Sequence, residues 1–123
     1  MISSRVDLKK NTLYINIIGI VNKDQIPEAL NEIVKKCSIM KEGYFIINDM
    51  SLFRCTSEKE LDILCNISAK LSKVKSVNKV VRVLPKDTEL KYILMKKDVQ
   101  HNLNNIFYAT CKKEAFTMIL KLI

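Results

Sequence analysis

Glycine and proline are scarce, two of each in 123 residues. That argues against a loop-rich or disordered chain. It also excludes the phosphate-binding loops, which need several glycines between a strand and a helix, whereas Gly19 and Gly43 stand alone. There is one histidine, His101, in a polar stretch. A serine hydrolase needs a nucleophile elbow flanked by glycines and a usable histidine, and Ser57 has no glycine around it. A cysteine nucleophile would need an oriented base, and one loop histidine is thin support. Paired carboxylates are lacking too. Asp49 stands alone at a strand end, and Glu58 and Glu60 belong to a helix first turn, where acids suit the dipole. A phospho-receiver domain begins with a strand ending in an acidic pair, but here the first strong strand runs out as Gly19-Ile-Val-Asn-Lys-Asp24. Of Cys37, Cys55, Cys65 and Cys111, no two have the short spacing of a metal knuckle or a redox pair. They read as free thiols in a reducing cytosol, with Cys55, ahead of a helix, the one placed for reactivity. No apolar run approaches a membrane span. Met1 to Asp7 lacks the basic region and apolar core of a signal peptide. The expectation is a cytoplasmic, non-enzymatic protein without metal or cofactor.

What is present is a single domain over residues 1–123, organised around Gly43 to Leu71. Tyr44-Phe-Ile-Ile47 is a continuous apolar run, β-branched and aromatic, as for a strand buried on both faces. Asp49 and Ser51 fall where it should end. Ser57 and Glu60 have the spacing of a capping box, and Leu61, Leu64, Ile67, Ser68 and Leu71 give a helical stripe. A strand end, a loop and a helix N-terminus together make the usual ligand or partner site of an α/β domain.

Before this stretch, Arg5 to Lys9 reads as a short edge strand with Val6 and Leu8 on one face, Lys10-Asn11-Thr12 as a turn, and Leu13 to Val21 as a strong strand. The close spacing predicts an antiparallel hairpin, since a parallel pair needs a crossover. Asn22 or Asp24 caps the next helix, with Pro27 in its first turn. Ile26, Ala29, Leu30, Ile33, Val34 and Cys37 form its core stripe. After the central helix, which fades near Lys75, Lys79 to Leu84 reads as a strand closed by Pro85. A short helix carrying Leu90, Ile93 and Leu94 follows, then a polar passage from Asp98 to Asn105 containing His101. Ile106 to Ala109 is the last strand, and Thr110 can cap a final helix that turns Ala115, Met118, Ile119 and Leu122 inward. The order is β-β-α-β-α-β-α-β-α. It predicts an α/β fold with a mixed, mostly parallel sheet, an opening β-hairpin and right-handed crossovers.

The net charge is +8 and unevenly placed. Lys70, Lys73, Lys75, Lys79, Arg82, Lys86, Lys91, Lys96 and Lys97 are opposed locally only by Asp87 and Glu89, which leaves +7 in that stretch. Such a face can meet an acidic protein, nucleic acid or a membrane surface, or be a solvated lysine surface with no partner. Lys73, Lys75, Lys79, Arg82 and Lys86 are the candidate polyanion contacts. Only Tyr92 interleaves an aromatic ring with this charge, which weakens a stacking platform for single strands.

The element order resembles the STAS domain family of anti-sigma factor antagonists. Three segments carry the resemblance: Leu13 to Leu30, a strand ending in Gly19 and passing through a polar turn into a helix; Asp49-Met-Ser51, similar to the family's Asp-Leu-Ser before its phosphorylation loop; and Ile106-Phe-Tyr-Ala-Thr-Cys-Lys-Lys-Glu-Ala115. They span nearly the whole chain, but each is short. The family's loop typically reads Asp-Ser-Ser-Gly-Leu, with a phosphorylated serine. Aligned without a gap, Leu61 takes the leucine, and Ser57-Glu58-Lys59-Glu60 replaces Asp-Ser-Ser-Gly. Lys59 thus stands at the acceptor position and the glycine is absent. Ser57 is a helix cap or a displaced phosphosite. The resemblance implies a diverged, SpoIIAA-like regulatory module that binds a regulatory protein, of anti-sigma-factor type or another. Asp49, Ser51, Arg54, Thr56, Ser57 and Lys59 are its candidate contacts. Nucleic acid at the basic stretch, a small ligand at the strand ends and a second copy of the chain stay open as other partners.

Overall fold

The structure, a computed structural model, describes residues 1–55, 57–74 and 76–122. Strands β1 (Ile2–Asp7) and β2 (Thr12–Ile17) form the opening hairpin, antiparallel, with Ile2 opposite Ile17 and Asp7 opposite Thr12. Helix α1 (Ile26–Cys37), β3 (Tyr44–Asp49), α2 (Glu58–Ser72), β4 (Val77–Val83), α3 (Thr88–Gln100), β5 (Ile106–Ala109) and α4 (Lys112–Leu122) follow. The five strands lie in sequence order, β1-β2-β3-β4-β5, and every pair after the hairpin is parallel. The fold is therefore α/β with a mixed, mostly parallel sheet, in the element order expected. Among the described residues, no helix is long and apolar enough to cross a membrane.

The sequential strand order fixes the layers. A right-handed crossover that always steps the same way along the sheet places its helix on the same face each time. Accordingly, α1, α2 and α3 bury Ile33, Leu61, Leu64, Cys65 and Leu94 against Leu13, Ile15, Ile17, Ile46 and Val80 on one face. Helix α4 lies alone on the other, crossing β3, β4 and β5, with Ala115 and Ile119 on Tyr14, Phe45, Ile47, Val81, Val83 and Ala109. Strand β3 is the hinge of both layers. Its residues Tyr44 to Ile47 are all at most 5% exposed, as expected of a strand covered on both faces.

Several boundaries differ from the sequence reading. The hairpin turns earlier, over Leu8–Asn11, where Asn11 N donates to Leu8 O and Asn11 takes a positive φ of 48°. Leu8 is therefore an exposed turn residue and does not join Val6 in the core. Asn11 tolerates that backbone because its side chain is anchored, exchanging hydrogen bonds with the Lys41 backbone at 3.0 and 3.2 Å. Strand β2 stops at Ile17 because Gly19 adopts φ +67°, which does not continue a ladder. Asn22 opens a 3₁₀ turn, Lys23–Gln25, ahead of α1. Helix α2 ends at Ser72, short of Lys75. The first three residues of the polar passage expected from Asp98 to Asn105 are instead the last turn of α3, and His101 follows as its C-cap. Of the inward residues expected in the last helix, Leu122 is 36% exposed.

The four cysteines are free. Burial pushes the Cys65 thiol from its ordinary 9.0 up to about 11, and Cys111 is exposed. A two-unit rise lowers the thiolate fraction near neutral pH by about 100-fold. Alkylation of the native protein, read by mass spectrometry, should label Cys111 first and Cys65 last, about 100-fold or more behind it. Equal rates would show that Cys65 is not held in the core.

Candidate partner-binding site

The site starts from the end of β3. Asp49 Oδ1 accepts from Ser51 N at 3.0 Å and from Ser51 Oγ at 2.6 Å, a carboxylate turn that stops the strand and starts the loop. The loop then alternates inside and outside. Met50 is 1% exposed and Phe53 5%, whereas Leu52 between them is 64% exposed. Met50 N donates to Val83 O at 2.9 Å, so the loop begins on the neighbouring strand.

A second segment supports it. Gly19 pairs with Phe53 as an isolated parallel bridge. Gly19 N donates to Leu52 O at 2.8 Å and Arg54 N donates to Gly19 O at 3.0 Å. That bridge sets the segment bearing Ile18 and Ile20, 37% and 49% exposed, alongside the segment bearing Leu52. Three exposed aliphatic residues thus lie on two paired segments at the strand ends, while Val21 and Phe53 turn into the core. Arg54, also exposed, follows Phe53 on the bridged segment.

At the far end of the loop, Ser57 is the N-cap of α2, in extended conformation, and its side chain accepts from Glu60 N at 3.3 Å. The Cys55 thiol donates to Ser57 O at 2.9 Å. Lys59 is exposed in the first turn. A cleft of about 180 Å³ separates Ser57, Lys59 and Ile63 from Val21, Lys23 and Ile26. Asp49, Ser51, Arg54, Ser57 and Lys59 thus belong to one strand-to-helix connection, as expected. Thr56 lies outside the described residues. The Ser51 hydroxyl hydrogen is committed to Asp49, so Ser51 shapes the turn before it contacts anything else.

Arg82 requires a correction. It was expected as a surface contact for polyanions, but its side chain is 1% exposed. Its Nη2 donates to Asp98 Oδ1 at 2.9 Å and to Ser68 Oγ at 3.0 Å, and its Nη1 to Met50 Sδ at 3.1 Å. The Tyr108 hydroxyl donates to Asp98 Oδ2 at 2.6 Å. Burial, and then this bond, raise the Tyr108 pKa above its ordinary range. The physical reason is position. Arg82 lies on the helix-covered face of β4, where a guanidinium must find a carboxylate or stay unfolded. Through Met50 the pair also props the loop. The signal was present in Val-Val-Arg-Val, a charge inside a buried strand that demands a partner.

The other candidate polyanion contacts do not converge. Lys73 is the exposed C-cap of α2. Lys79 lies over the Phe107 ring at 5.6 Å, a cation–π contact. Lys86 follows the opposite end of β4, roughly 20 Å from Lys79 at a strand rise of about 3.3 Å per residue. Lys75 lies outside the described residues. Lys97 is drawn to Asp62 and, at 3.8 Å, to Glu58. Among the described residues, no group of three or more His, Cys, Asp or Glu is placed to hold a metal ion.

Ile18 and Ile20 were not foreseen as site residues, because a Gly19 inside an apolar run reads as strand until its positive φ is seen. Comparison with protein-family models, with curated proteins and with solved structures finds no match for this chain.

Proposed function

We propose that this chain is a non-enzymatic regulatory module that captures a partner protein with the β3–α2 loop and the segment after β2. The observation that carries the reading is the exposure of Ile18, Ile20 and Leu52 on two backbone segments tied together by the Gly19–Phe53 bridge. A preorganised apolar patch loses little conformational entropy on binding. Arg54 borders the patch, and interface cores favour apolar groups with arginine. The resemblance of Asp49-Met-Ser51 to the STAS loop supports the same location and makes the partner a regulatory protein of anti-sigma-factor type or another. In this reading Asp49 and Ser51 set the turn, Arg54 and Lys59 supply charge, and Ser57 serves as helix cap.

The test compares capture by wild type, Leu52→Asp and Arg54→Ala, all checked for an unchanged melting transition. Wild type should retain one protein stoichiometrically through high salt and nuclease. Leu52→Asp should weaken that complex at least about 30-fold, the scale of a central interface residue, because an apolar contact is lost and a carboxylate must be desolvated in its place. Arg54→Ala should weaken it about 10-fold. Retention unaffected by either substitution would remove the site from this loop. Retention lost to salt or nuclease would move the function to the basic surface.

A further inference from the structure

A different part of the molecule holds an apolar cavity apart from the loop. Helix α1 packs over β1 and β2, and α2 over β4 and against α3. Between α1 and α2 lies an apolar cavity of about 50 Å³, floored by β2, β3 and β4. Ile26, Leu30, Ile67 and Leu71, each half-buried, flank it on the two helices. None of its lining residues is charged.

One polar group stands in this wall without a partner. Asn48 is 5% exposed and shares the helix-covered face of β3 with Ile46. In the sheet it sits between Ile15 and Arg82. Its Oδ1 is buried and has no hydrogen-bond partner among the described residues, and the buried Nε of Arg82, its neighbour in the sheet, has none either. The two serines that share the cavity wall each have a hydrogen-bond partner other than Asn48. Ser72 Oγ donates to Ala69 O at 3.0 Å, and Ser68 Oγ accepts from Arg82 Nη2. A buried amide oxygen left unpaired is costly, and pockets built for small molecules combine apolar walls with a few such convergent polar groups.

We infer that the α1–α2 cavity binds a slender, neutral, mostly apolar molecule whose terminal hydroxyl hydrogen-bonds the Asn48 side chain. The wall chemistry sets the class. A charged head group would be desolvated there with no counter-charge in the lining. The volume sets the size. At roughly 10–15 Å³ for each water-sized group, the cavity itself takes about three to five such groups. The hydroxyl end fits inside, and the chain extends between the helices. A hydroxyl both donates and accepts, so it suits either orientation of the Asn48 amide.

The probe is 1-hexanol, with hexanoate as its charged counterpart, titrated into the full chain and followed by two-dimensional NMR of backbone and side-chain amides. Millimolar 1-hexanol should shift the Asn48 side-chain amide and the amides of Ile33 and Ile67, and hexanoate should bind at least about 10-fold more weakly. Asn48→Leu, which keeps the branched shape and the number of heavy atoms, should bind 1-hexanol about 10-fold more weakly and melt no lower than wild type, because an unpaired polar group is removed. Ala29→Leu, which fills the cavity from α1, should abolish the shifts while leaving the fold intact. Undisturbed Asn48 resonances, equal binding by Asn48→Leu or by hexanoate, or shifts confined to Ile18, Ile20 and Leu52 would each overturn the assignment. A marked drop in the melting temperature of Asn48→Leu would also overturn it, since Asn48 would then already be satisfied. None of these outcomes bears on partner capture by the loop.

Discussion

Asp98→Ala is expected to destabilise the protein by about 3–5 kcal/mol, the cost of leaving one member of a buried ion pair behind. The Arg82 side chain is 1% exposed and that of Asp98 4%, so water cannot replace the lost carboxylate without opening the core. Tyr108 loses its acceptor in the same step. Replacing both charges with apolar residues, as in Arg82→Met with Asp98→Leu, should recover most of the loss, because the penalty lies in the unpaired charge and not in the absence of the pair. Urea unfolding of the three proteins measures this. A loss under about 1 kcal/mol for Asp98→Ala would show that Arg82 reaches solvent by another rotamer, and its withdrawal from the basic surface would no longer stand. The single variant should also loosen the loop, since Arg82 contacts Met50.

The second large effect separates two adjacent residues. Phe53→Ala should cost about 3–5 kcal/mol, the range for truncating a buried aromatic side chain, whereas Leu52→Ala should stay within about ±0.5 kcal/mol, as for a surface position. Phe53 is 5% exposed and packs in the core that also contains Val21 and Leu61. Its partner in the isolated bridge is Gly19, so the same truncation should raise amide exchange at Gly19 and Arg54, whose amides close the bridge. Similar losses at the two positions would mean that the loop does not alternate inside and outside, and the exposed patch would not be built as described.

Much of the architecture is legible along the chain because it depends on local periodicity. The apolar run Tyr44 to Ile47 has no polar face and becomes the doubly covered strand β3. Ser57 three residues before Glu60 becomes an N-cap, by side-chain chemistry that is local. The location of the loop site follows from those two elements. Its apolar contacts do not. Ile18 and Ile20 continue a strand pattern in sequence, and only the positive φ of Gly19 and the bridge to Phe53 set their segment alongside that of Leu52. Likewise Asp98 reads as part of a polar loop until the burial of Arg82 draws it into the last turn of α3.

The sequence by itself determined the element order, the hairpin at the start and the α/β class, because helix and strand periods, caps and connection lengths are properties of neighbours along the chain. Only the tertiary structure decided that the strands lie in sequential order, that three helices share one face with α4 alone on the other, and that Asn48 and Arg82 point into the layer between sheet and helices. Those choices rest on pairings between segments far apart in sequence. Their energies come from burial and from unpaired polar groups finding or lacking partners; a local pattern such as Val-Val-Arg-Val signals that a partner is needed but not which one.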